Sequence, residues 1–110
     1  MKKIYLFIIL IAASTTITFA QNKDTKKADD LYSRLAYTDA AEAYQKLLKK
    51  GKGTKYVYEQ LANSYYFIND SKKAETYYKR VVKGKKVKPE TVYSYAQALK
   101  ANGKYDDYNI

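Results

Sequence analysis

The chain has 110 residues, 46% hydrophobic and 29% charged, with 21 Lys+Arg against 11 Asp+Glu and a formal net charge of +10. This is the make-up of one small globular domain whose core is limited by its size. The lack of Cys excludes disulfides and thiolate metal sites, and the lack of His removes the usual ligand or base of zinc, haem and triad chemistry.

Residues 1–20 read as a secretory signal peptide. Lys2 and Lys3 give a positive start, residues 4–13 are an unbroken apolar run, and small residues lead to cleavage between Ala20 and Gln21. The run is shorter than the ~20 residues that cross a bilayer comfortably. The alternative is an uncleaved N-terminal anchor helix. No Cys follows the run, which excludes lipoprotein attachment. Removing the leader leaves 19 basic and 11 acidic residues, a net of +8. That balance favours acidic partners or anionic surfaces without choosing among them.

The rest of the chain matches itself at one constant offset, the separation of Ala28 from Ala62 and of Ala62 from Ala96. At that offset Leu31, Tyr65 and Leu99 also align. Ala40 falls on Ala74, Tyr44 on Tyr78, Lys46 on Arg80, and Tyr37 on Ser71 and Tyr105. The first copy has Asp24 and Lys27 where apolar residues belong, so its first helix is expected to fray at the start. Thr38 and Asp39 are expected to cap its second helix, with Glu42 completing a capping box. In the second copy Tyr58, Leu61, Ala62, Tyr65 and Ile68 form one apolar helical stripe. Asn69 and Asp70 interrupt it, and Ala74, Tyr77, Tyr78, Val81 and Val82 form the next. Tyr65 and Tyr78 therefore belong to the core, and their neighbours Tyr66 and Tyr77 to its margin. Gly51 and Gly84 suit the left-handed residue that ends a second helix. The third copy opens at Pro89 and Glu90, favoured at a helix start. Residues 101–104 (ANGK) supply its turn, and residues 105–110 only the start of its second helix. Val92, Tyr95 and Leu99 are expected to stand partly uncovered. The simplest reading is the N-terminal part of a longer protein; the alternative is a protein with a loose tail.

These residues resemble the tetratricopeptide repeat (TPR), a helix-turn-helix unit of about 34 residues. Its first-helix pattern is matched by Tyr58, Leu61, Ala62 and Tyr65, and its second-helix pattern by Ala74, Tyr78 and Val81. The resemblance implies an all-α, right-handed solenoid of two full units and one truncated unit. Its parts are a signal peptide at 1–20, a degraded repeat at 21–54, a repeat at 55–88 and a truncated repeat at 89–110. The leader, the Tyr- and Lys-rich units and residues 95–105 (YAQALKANGKY) are similar to the start of OmpA-family envelope proteins of Bacteroidetes-type bacteria. That similarity implies export to the periplasm or the periplasmic side of the outer membrane. It also implies a link to peptidoglycan through downstream domains not in this sequence. Some relatives serve type IX secretion.

In such arrays the first helices line a concave face that takes a peptide or a partner helix. By register that groove comprises Tyr56, Glu59, Asn63, Tyr66 and Phe67 in the second copy. Tyr93, Gln97 and Lys100 follow in the third, and Asp29, Tyr32 and Ser33 belong to the first. Aromatic rings with interleaved amides suit a protein interface. Glu59 stands where a carboxylate clamp needs Lys, which argues against such a clamp. The alternative is a face covered by another domain of the same protein. Lys49, Lys50 and Lys52, and Lys83, Lys85, Lys86 and Lys88, fill equivalent turns after the second helices. They serve as solvated helix ends or as a basic edge for an anionic membrane surface, an acidic protein or a type IX-like secretion complex. Nucleic acid is not an expected partner of an exported protein. Residues 51–55 (GKGTK) lack the spacing and preceding strand of a phosphate loop. The Ser residues have no His to act as base, so no enzyme, cofactor or metal is expected.

Overall fold

A computed structural model describes residues 23–104. The proposed leader, the Ala20/Gln21 cleavage point and residues 105–110 lie outside them. The described chain is all-helical. A 3-10 turn (Lys23–Thr25) leads into α1 (Lys26–Ser33), followed by α2 (Tyr37–Lys49), α3 (Lys55–Phe67), α4 (Ser71–Val82) and α5 (Pro89–Ala101). Each helix packs on the next, and α3 also touches α5.

The helix starts follow local chemistry. The Thr54 Oγ1 accepts from the Val57 amide at 3.2 Å, and the Asp70 Oδ1 from the Lys73 amide at 3.2 Å. Each satisfies a donor that the first turn leaves unpaired. Pro89 occupies the first turn of α5, where its missing N–H costs nothing. The capping box expected at Thr38 and Asp39 does not form. α2 begins earlier, at Tyr37, and its N-cap is Ala36 without a side-chain bond. Thr38 and Asp39 thus already lie inside the first turn. α1 is the short helix of the set at 8 residues, and the preceding 3-10 turn holds Asp24.

One turn recurs three times. Leu35 (φ 63°), Asn69 (φ 63°) and Gly103 (φ 77°) are left-handed and stand at the same position of successive repeats. The following amides, of Ala36, Asp70 and Lys104, each donate at 2.9 Å to the carbonyls of Leu31, Tyr65 and Leu99. The left-handed residues themselves donate to Tyr32, Tyr66 and Lys100 at 3.0, 3.1 and 3.0 Å. This paired arrangement is the Schellman motif, which satisfies the carbonyls a helix end exposes. The two turns between repeats are unlike each other: the one after α2 makes the same pair of bonds, from the Gly51 amide to Leu48 at 3.0 Å and from the Lys52 amide to Leu47 at 2.9 Å, and the one after α4 does not. After α2, Gly51 is left-handed (φ 73°), as expected. After α4, Gly84 is not; Lys86 takes the positive φ (59°) instead. The longer α4–α5 connection moves the reversal two residues downstream, where the carbonyls of Lys85 and Lys86 accept from Lys55 Nζ at 2.7 and 3.1 Å.

The core is one cluster running through all five helices. Ala28, Ala62, Ala40 and Ala74 are buried at the helix contacts, where a small side chain lets backbones approach. Tyr44, Tyr78, Leu61, Val57 and Leu99 are fully buried; each apolar side chain of this size contributes roughly 1.5–3 kcal/mol by leaving water. Tyr65 is buried and Tyr66 and Tyr77 are half-buried, so each adjacent pair has one inner ring and one marginal ring. Tyr95 and Leu99 are not uncovered as expected. They are buried, because α5 turns them into the same core, and Val92 alone stays half-buried.

Candidate protein-binding groove and basic edge

The first helices α1, α3 and α5 carry the residues expected to line a groove. A depression of about 390 Å³ lies between α3 and α5, walled by Glu59, Gln60, Asn63 and Phe67 on one side and Lys88, Glu90, Thr91 and Ser94 on the other. Glu59, Asn63 and Phe67 are thus brought together. Tyr93 stands apart from that wall at 63% exposure, Lys100 is exposed, and Gln97 is half-buried.

Five of the expected groove residues, Asp29, Ser33, Tyr56, Glu59 and Asn63, are instead tied within the protein. The Glu59 carboxylate accepts from the Thr91 hydroxyl at 2.7 Å and lies 3.8 Å from Lys88 Nζ. It fastens α3 to the start of α5. The Asn63 side-chain carbonyl accepts from the Tyr78 hydroxyl at 2.6 Å, and its amide donates to Gln60 at 3.4 Å. The same link occurs one repeat earlier, where the Tyr44 hydroxyl donates to Asp29 Oδ1. Tyr56 donates to that oxygen too, at 2.8 Å, while Asp29 Oδ2 is buried with no hydrogen-bond partner among the described residues. Ser33 spends its hydroxyl on the Asp30 carbonyl at 2.8 Å.

Burial sets the acidity of these phenols. Desolvation, and then the Asp29 bond, push Tyr56 up to about 12. The same two causes raise Tyr44 further, and desolvation raises Tyr78 and Tyr32. All four stay protonated over the physiological range, and Tyr44, Tyr56 and Tyr78 donate.

What remains open on this side is aromatic. Phe67 is half exposed, with Tyr37 at 4.7 Å, Tyr66 at 5.7 Å and Tyr32 at 6.5 Å between ring centroids. Tyr66 in turn meets buried Tyr78 edge-on at 6.3 Å. Tyr37 was legible only as a repeat position; its place beside Phe67 follows from α2 starting there. Gln60, Thr91 and Ser94 were missed, and only the repeat register would have drawn attention to them.

The Lys-rich turns share one edge. Lys55 Nζ, at the start of α3, reaches across to the carbonyls of Lys85 and Lys86, which places the 50–54 turn beside the 83–88 turn. Lys52 pairs with Asp24 at 2.8 Å, and Lys88 approaches Glu59. Lys49, Lys50, Lys83, Lys85 and Lys86 are exposed with no carboxylate partner among the described residues.

Among the described residues no group of acidic side chains is placed to hold a metal ion, and no helix is long and apolar enough to cross a membrane. No known family, curated protein or solved structure matches the chain.

Proposed function

We propose that the chain is an exported tetratricopeptide-type segment that acts as a non-catalytic protein-interaction scaffold in the bacterial cell envelope, of the kind carried by OmpA-family proteins. The observation that carries this reading is the Schellman turn repeated at 35, 69 and 103, with the same pair of backbone bonds each time. A chain that rebuilds one helix-turn-helix unit at a fixed spacing stacks its units and leaves its first helices side by side. On that side Glu59, Asn63 and Ser33 spend their polar groups internally, whereas the rings of Phe67, Tyr66 and Tyr93 retain open surface. Rigid rings over a fixed polar floor suit a protein or peptide partner, since they offer contact area at small entropic cost. The envelope location rests on the apolar run at residues 4–13 and the similarity of residues 95–105 to OmpA-family proteins.

The test is site-specific photo-crosslinking in the native cell. A benzophenone amino acid at Phe67 or at Tyr93 should give the same discrete protein adduct. One at Thr76, exposed on α4, should not. Equal adducts from all three positions, or none from Phe67 and Tyr93, would refute a groove.

A further inference from the structure

We propose that the edge built from the α2–α3 and α4–α5 turns docks on the headgroups of an anionic lipid bilayer. This surface adjoins the aromatic groove at Lys88 and does not depend on it.

The argument begins with charge. Residues 49–55 and 79–90 carry ten Lys or Arg, as many positive charges as the net charge of the whole chain, and one acidic residue, Glu90 at the start of α5. The opposite edge, at residues 30–39, 68–75 and 102–104, has four acidic and four basic residues. The asymmetry is therefore positional. Helix dipoles do not account for it. Each helix C-terminus carries roughly half a negative charge, and the C-termini of α2 and α4 here lie next to the N-termini of α3 and α5, which carry the opposite sign.

Geometry concentrates the charge further. Lys55 is consumed as an internal brace: its ammonium holds the carbonyls of Lys85 and Lys86, so a cation rather than an acid fixes a turn that is itself cationic. Only Asp24 and Glu59 reach this edge as partners among the described residues, for Lys52 and Lys88. The ammonium groups of Lys49, Lys50, Lys83, Lys85 and Lys86 stay in solvent without a carboxylate among those residues.

The residue type selects the partner. Nine of the ten cations are Lys, compact charges on flexible stems that follow a mobile array of anions. Arg would supply the planar fork that grips one carboxylate or phosphate bidentately. The lone Arg80 is instead laid over the Tyr58 ring at 4.4 Å. Tyr58 also stacks on Tyr77 at 6.3 Å, which leaves neither ring free for a nucleic-acid base. A fluid surface of singly charged headgroups fits; a shaped acidic site or a polynucleotide fits less well.

The experiment is vesicle sedimentation of the full chain, comparing phosphatidylglycerol/phosphatidylcholine vesicles with pure phosphatidylcholine. Apolar partitioning of residues 4–13 is common to both, so the difference between them isolates charge. Each lysine near an anionic surface is worth about fivefold in affinity. K85Q/K86Q should therefore lower the phosphatidylglycerol-dependent affinity roughly 25-fold. K72Q/K73Q, the same charge change on the balanced edge, should change it less than about twofold. Circular dichroism checks that both variants keep their helices. Equal losses from the two pairs would overturn the proposal, as would no preference for phosphatidylglycerol. Tighter binding to an acidic polypeptide or to DNA at the same ionic strength would overturn the choice of lipid.

Discussion

Tyr44 and Tyr78 offer a matched pair for asking what the charge of a buried acceptor contributes. Both rings are fully buried, both occupy the same place in the repeat, and each donates to the residue 15 positions earlier. The acceptors differ: the Asp29 carboxylate for Tyr44 and the neutral Asn63 amide for Tyr78. Removing either hydroxyl as Phe keeps the packing and deletes one bond. A hydrogen bond to a charged group contributes about 1.5–3 kcal/mol and one to a neutral group about 0.5–1.5. Tyr44→Phe should thus cost about 2 kcal/mol and Tyr78→Phe about 1. The bond from Tyr56 to the same Asp29 oxygen, at 2.8 Å, remains after the substitution and keeps the Tyr44→Phe loss in the lower half of the charged-acceptor range. With a urea slope of roughly 1 kcal/mol/M for a domain of this size, the midpoints should fall by about 2 M and 1 M, followed by circular dichroism. In an Asp29→Asn background the cost of Tyr44→Phe should drop to about 1 kcal/mol. A loss from Tyr44→Phe equal to or below that from Tyr78→Phe would refute the reasoning.

Burial makes these phenols weaker acids than free tyrosine, and that makes the protein base-labile. Stability is complete below the ordinary tyrosine value of 10 and declines as pH rises toward about 12, where Tyr56 ionises in the fold. Tyr44→Phe/Tyr78→Phe should flatten that alkaline limb in a pH series of thermal melts. On the acid side, desolvation pushes Glu75 up, but bonds from Lys104 (2.6 Å) and Asn102 (2.9 Å) prevail and hold it below the ordinary value of 4.5. Its contribution is held above that value and lost as pH falls through the folded one, so Glu75→Gln should remove part of the acid slope. Leu35 holds the left-handed turn position at 70% exposure, where the equivalent residues are Asn69 and Gly103. Leu35→Gly should stabilise by about 1 kcal/mol and raise the melting temperature by about 4–8 °C, measured by differential scanning calorimetry. No gain, or a loss, would mean that the exposed Leu side chain makes a contact worth more than its backbone strain.

Periodicity made the helices legible, because burying one stripe per helix forces apolar residues to recur at helical spacing. The buried rings of Tyr65 and Tyr78, the alanines at the contacts and the turn at Asn69 all followed from it. The starts and stops were less legible where no side chain dictates them. Thr38 and Asp39 looked like a cap, yet the Schellman turn at Leu35 releases the chain into α2 first. Gly84 looked like a terminator, yet the longer connection reverses at Lys86. The groove was legible as a register but not as a surface. Glu59 and Asn63 face the expected side, and only the packing of α5 on α3 and of α4 on α3 reveals that Thr91 and Tyr78 have already claimed them.

The linear order of residues determined that this chain makes paired helices at a fixed repeat spacing, since that pattern is a property of which side chains avoid water. Tertiary structure alone decided which polar groups stay free to meet a partner. Hydrogen-bond partners and charge neighbours are set by contacts between residues far apart in the chain, as at Tyr78 and Asn63 or Lys55 and Lys85, and no local rule encodes those.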